Sequence, residues 1–365
     1  MKRILSLLLF AAHIVSEKAL VIAPVIDLTT HPTNENIPAA PKNYLSGACP
    51  RIHQAIFNEI VDIKTVSGRN AKIEISNTFT QNNEKTKEAS YWCSTKNLLF
   101  LSKLDATLIP DPIDFNKKAD YSKETLVLTN PFYAKETGLK YSAGTRFVLK
   151  DGLAQIYDKN SKEFLEIEIP QKYWIKEKNR TYEEKLKIFC NLLENWASQK
   201  NECIPYIWGG CSFVKTYKNN FNEKGEVGKE FYEVAGCDSD PKTGFDCSGV
   251  ILRAAQISGF DYYFKNTSTI LKNLTPTKDI KNGAILVWPG HVIVITDSNK
   301  GMMVEAGGYS CGFGCLHKIK LQDFFEGIKS TIDLEKAIKK NRPLLRLNPS
   351  KEVVQKIQSI KCFKI

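Results

Sequence analysis

The chemistry this chain could perform concentrates at Gly244-Phe245-Asp246-Cys247-Ser248-Gly249. Val250-Ile251-Leu252-Arg253-Ala254-Ala255-Gln256-Ile257 follows with helical composition, and Gly259 supplies a stop. Cys247 is therefore expected at a helix N-terminus. Unpaired backbone N–H groups and the helix dipole favour a thiolate there. The same N–H groups can hold an oxyanion. The competing reading is packing, because free cysteine before an apolar helix is usually buried.

A nucleophilic thiol needs a base. The chain has five histidines: His13, His31, His53, His291 and His317. His291 follows Pro289-Gly290 and opens Val292-Ile293-Val294-Ile295, and Ala284-Ile285-Leu286-Val287-Trp288 precedes it. This reads as a hairpin that fixes His291 at a strand start, half exposed, as suits a general base. Further on, Met302-Met303-Val304 reads as a strand ending in Glu305-Ala306-Gly307. An adjacent strand would set Glu305 beside His291, to orient the ring and support an imidazolium. The bland alternatives are an incidental edge histidine and a solvated glutamate. His317 is the weaker candidate.

The elements that must position these residues form an α+β order. Thr181-x-x-Glu184 is a capping-box pattern, and Leu186, Phe189, Leu193 and Trp196 follow at helical spacing. Upstream, residues 20–110 read as short strands, including Leu20 to Leu28 and Ile56 to Val66. Lys72-Ile73-Glu74-Ile75 alternates like a half-buried strand. Residues 124–176 repeat the theme, with Asp151-Gly152 as a hairpin turn. Two small barrels or sandwiches are expected, joined by a linker at 111–123.

The chain has 365 residues, 42% of them hydrophobic and 25% charged, which excludes a wholly disordered, collagen-like or multi-span membrane protein. Its net charge of +11 favours anionic partners, unless it reflects only solvated lysines. Met1-Lys2-Arg3 followed by the apolar run Ile4 to Val15 resembles an export signal, too short to span a bilayer. Export would permit one or two disulfides among ten cysteines, with pairing unreadable from sequence. Cys311-x3-Cys315 lacks a matching pair for a metal site.

Taken in order, Ile204-Pro205-Tyr206-Ile207-Trp208-Gly209-Gly210, Gly244 to Gly249, Gly290-His291-Val292 and Val304-Glu305-Ala306 resemble the NlpC-type cysteine peptidases, papain-like hydrolases of bacterial cell walls. The likeness covers about residues 181–345. More softly, Val21 to Leu28 resembles the opening strand of a bacterial SH3-like module. Tandem modules before such a peptidase are similar to the γ-D-glutamyl-diamino acid endopeptidases, also called dipeptidyl-peptidase VI.

The resemblance implies a papain-like cysteine peptidase domain at 179–348, preceded by SH3-like barrels at 19–110 and 124–178. A signal peptide at 1–18 and a tail at 349–365 complete the layout. It implies Cys247 as nucleophile, His291 as base and Glu305 as third polar residue. Tyr206 would support the oxyanion, and Asp246 and Ser248 would line the cleft, the aspartate helping to bind a substrate amine. No metal or organic cofactor is expected. The expected partners are peptidoglycan peptides or muropeptides, with no nucleic acid, no membrane contact beyond an uncleaved leader, and a monomeric state. The sequence departs from the pattern at Glu305, where histidine is commonest, at Gly283-Ala284 where Gly-Asp is usual, and in the insertion 211–243. A decayed wall-binding protein and an acyl or amide transferase remain open readings.

Overall fold

A computed structural model describes residues 17–33, 37–38, 49–78, 90–198, 202–218, 235–236, 242–308 and 313–365. Residues 1–16, which hold most of the expected leader, lie outside them, as do Cys237, Cys311 and most of the insertion's middle. Glu17 and Lys18, counted with the leader by sequence, belong to a strand and pair with Ile63 and Asp62. Among the described residues no helix is long and apolar enough to cross a membrane.

The first β unit is a seven-stranded antiparallel sheet. The apolar stretch Leu20 to Leu28 forms two strands, Glu17–Val21 and Val25–Thr29, rather than one. Pro24 explains the interruption, since it lacks a donor for the ladder. Ile56 to Val66 likewise splits into Arg51–Ile56 and Ile60–Ser67 around a turn in which Asn58 takes positive φ. In Asn70–Ile75 the alternation holds, with Ile73 and Ile75 buried and Lys72 and Glu74 partly exposed.

The second unit is a five-stranded sheet. Its hairpin joins Arg146–Lys150 to Leu153–Asp158 through Asp151 (φ 52°) and Gly152 (φ 83°), two positive values that match the strand twist. The first unit has a core of its own around Val21, Ile73 and Tyr91, and some of its residues also join the core of the second. Leu20, Ile22 and Phe57 of the first pack with Leu126, Phe147 and Ile156 of the second. Segment 111–123 runs between them without regular structure.

The third unit opens with the helix Tyr182–Ala197, capped reciprocally by Thr181 and Glu184 as expected. The helix Gly249–Ser258 packs against it and ends at Gly259 in the left-handed conformation. A five-stranded antiparallel sheet follows, ordered Leu316–Lys320, Met302–Ala306, His291–Asp297, Ala284–Trp288 and Lys361–Lys364. The last strand belongs to the expected tail, which therefore completes the sheet. Val287, Val292 and Val294 face the helices, whereas Leu286, Ile293 and Ile295 pack against Phe324 and Phe325 on the other side. Burial of both faces explains why these strands read as unbroken apolar runs.

Polar contacts seat the first β unit on the third. Buried Arg51 donates from Nε to the Trp208 carbonyl at 2.8 Å. Buried Arg253 pairs with Glu59 at 2.9 Å. Gln54 accepts from Cys211 N–H and Ser212 Oγ.

Candidate active site

The glycines of the two motifs are there because backbone meets backbone. A Cβ on Gly249 would lie 1.9 Å from the Gly210 carbonyl oxygen, and one on Gly244 would lie 2.2 Å from the Pro205 oxygen. Tyr206 bridges Phe245 in parallel, and Phe245 N–H donates to Pro205. The tyrosine motif thus lies directly against the cysteine motif.

Cys247 precedes the helix rather than starting it, because helical residues begin at Gly249. Asp246 takes the capping role expected to serve the sulfur. Its Oδ1 accepts from Ser248 N–H (3.0 Å), Ser248 Oγ (2.9 Å) and Gly249 N–H (2.6 Å). Its Oδ2 pairs with the ammonium of buried Lys265. Asp246 and Ser248, expected to line the cleft, are buried and engaged with each other and with Lys265. Lys265 gave no sequence signal, following the aromatic stretch Tyr262-Tyr263-Phe264 in a loop without a recognisable motif.

Cys247 packs in the same buried cluster as Val292, next to His291, and the backbone N–H of Val292 acts to lower the pKa of the thiol. Helix side and hairpin are thereby brought together. Cys247 and His291 are each 9% exposed, so the half-exposed histidine expected from sequence is buried. Burial pushes the thiol up to about 12, reinforced by the Asp246 carboxylate and opposed by Lys265 and the Val292 N–H. The resting group is a thiol, not the thiolate anticipated from a helix N-terminus. Among the described residues the Cys247 N–H donates to no acceptor, which leaves it for an incoming oxygen.

The hairpin pairs Trp288 with His291, whose rings lie 4.9 Å apart. His291 Nε2 lies 2.5 Å from Glu305 Oε1, the placement predicted from an adjacent strand. That leaves Nδ1 as the ring nitrogen not engaged by Glu305. Desolvation lowers the basicity of His291, and Glu305 partly opposes this. Glu305 is 1% exposed, yet Arg346 and His291 hold its carboxyl well below the usual range. Arg346 Nη2 donates to the same Oε1. His317, the weaker candidate, sits 3.3 Å from Oε2, stacks on Phe313 and donates from Nδ1 to the Cys315 carbonyl. Arg346 was missed because Leu344-Leu345-Arg346-Leu347 reads as a plain strand.

Eight described cysteines are free. Tyr206 is buried, with its N–H donating to Gly314 at 2.9 Å.

No protein-family model and no curated protein matches the sequence. Solved structures do. The structure of an NlpC/P60 family protein from Bacillus cereus is similar at a TM-score of 0.54 and 15% identity, over 83% of this chain and 94% of that one. NlpC2 and NlpC1 from Trichomonas vaginalis align over 86% and 87% of this chain, at 13% and 14% identity, 95% and 93% of their own chains, and TM-scores of 0.31 and 0.30. The fold likeness rests on the Bacillus cereus structure. This chain therefore has the fold of an NlpC/P60 family protein.

Proposed function

We propose that this chain is a cysteine peptidase acting on peptidoglycan stem peptides, at the amide between D-glutamate and a diamino acid. The observation that carries the reading is that Cys247 packs in one buried cluster with Val292, the chain neighbour of His291 in the His291–Glu305 pair, with these residues in that family's motif order and on its fold. The two β units, read as SH3-like modules, would help shape the substrate cleft, and the leader would direct export.

Because the resting sulfur is protonated, His291 removes its proton as the sulfur attacks, rather than beforehand. The thiol proton passes to His291, and the C–S bond forms as the carbonyl π electrons move to oxygen. The Cys247 N–H and Tyr206 are the donors suited to that oxyanion. Collapse expels the amine, which takes the proton back from His291. Water, deprotonated by His291, then hydrolyses the thioester. Glu305 keeps the ring oriented throughout.

Purified full-length protein incubated with a defined set of tri-, tetra- and pentapeptide muropeptides should release diamino acid peptides, read by mass spectrometry. Cys247→Ala should abolish release. Intact substrates with the native chain, or unchanged release by the variant, would refute the assignment.

A further inference from the structure

A buried carboxylate beside a general base has two effects that pull apart. It orients the imidazole, but its charge also tightens the hold of the ring on a proton. A base already protonated cannot take one from a thiol. The structure answers this with a second buried charge. Arg346 is 1% exposed and reaches Glu305 from Leu344–Leu347, a strand outside the five-stranded sheet. Its Nη2 donates to the very oxygen that meets His291 Nε2. Its guanidinium carbon lies 4.8 Å over the Phe324 ring, and its backbone bridges Phe325. Gly307 leaves room for the pair, since a Cβ there would lie 3.2 Å from Glu305 Oε1.

We propose that Arg346 is a positioning residue that neutralises Glu305, so that the carboxylate fixes the His291 ring without pinning a proton on it. This role rests on the peptidase reading, in which His291 is the base. The charged and titratable groups facing His291 are Glu305 from Met302–Ala306, His317 from Leu316–Lys320 and Arg346 from Leu344–Leu347, and Cys247, on the helix side, feels the Glu305 charge. Behind Cys247, Asp246 and Lys265 balance each other. Arg346 is the permanent cation of the group, so it sets the balance at every working pH.

The test is the titration of the His291 ring in the isotope-labelled full chain, followed by NMR. In the native chain the midpoint should lie below 6.5. Arg346→Met should raise it by about one pH unit, a tenfold gain in proton affinity. Arg346→Lys should remove at least half of that rise. Glu305→Gln, which leaves Arg346 uncompensated, should move the midpoint below the native value. The double variant Glu305→Gln/Arg346→Met should return it close to native, a rescue that a merely structural role would not produce. An unmoved midpoint in Arg346→Met, or no rescue in the double variant, overturns the proposal. If Arg346→Met does not fold, Glu305→Gln and the double variant decide the matter by the same signs. The titration needs no substrate. A ring that behaves as stated in a chain that leaves muropeptides intact would refute the peptidase and spare the charge balance. Cleavage with unmoved midpoints would do the reverse.

Discussion

At the scale of single residues, the site works by pairing each buried charge. Asp246 spends one oxygen on the helix start and the other on Lys265, and both side chains are buried. Removing one partner of such a pair leaves an uncompensated charge, which costs about 3–5 kcal/mol. Lys265→Met should therefore lose about that much stability in urea unfolding, and Asp246→Asn/Lys265→Met should recover most of it. A loss below about 1 kcal/mol, as for an exposed pair, would contradict this account. Cys247, His291 and Glu305 were legible in the sequence because each sits in a short motif with a chemical reason for its type. Lys265 and Arg346 were not, since a lone cation in a loop or strand looks the same whether its partner is water or a buried carboxylate. The state of the sulfur was misread for a related reason. Sequence places a helix after Cys247, but it does not show that Asp246 takes the amides of Ser248 and Gly249.

At the scale of elements, the sheet and two helices bring the site together and the caps hold its frame. Glu184 N–H donates to Thr181 Oγ1 at 3.2 Å, and the Glu184 carboxylate accepts from Thr181 N–H at 2.8 Å. Thr181→Ala should cost about 1 kcal/mol in urea unfolding, the usual worth of such a cap. No change would mean that tertiary packing alone fixes this helix end. The capping box, the Asp151-Gly152 turn and the 284–296 hairpin were readable because their local chemistry and their final packing agree. The split of Leu20 to Leu28 turns on Pro24 alone, within a stretch whose only charged residue is Asp27. The C-terminal strand escaped notice because Lys361-Cys362-Phe363-Lys364 is too short to show a period.

At the scale of the whole molecule, the three units fold around one another. Trp196 Nε1 donates to the Thr129 carbonyl, and Arg253 reaches Glu59, so the third unit is tied to both β units. The same buried interfaces make stability depend on pH. Burial holds His53 well below its ordinary 6.5, helped by Lys265 and Arg253, and His291 is lowered too. Both rings stay neutral in the fold but bind protons once unfolded. Their contribution is full above about 6.5 and is lost as pH falls from there toward the folded-state values. The urea midpoint should therefore fall between pH 7 and pH 5. Glu305, also depressed, adds a further loss in the acid range below its ordinary 4.5. A flat midpoint from pH 7 to pH 5 would mean that these histidines are not held neutral.

The account turns on an acyl group passing through the sulfur of Cys247 under the control of His291. Acid quenching of the full-length chain during muropeptide turnover, followed by peptide mass spectrometry, reads this directly. A stem-peptide adduct on the peptide containing Cys247, absent from Cys247→Ala and from His291→Ala, is the predicted result. Product formation without that adduct in Glu305→Gln, where thioester hydrolysis should slow, or an adduct on another cysteine, would contradict it.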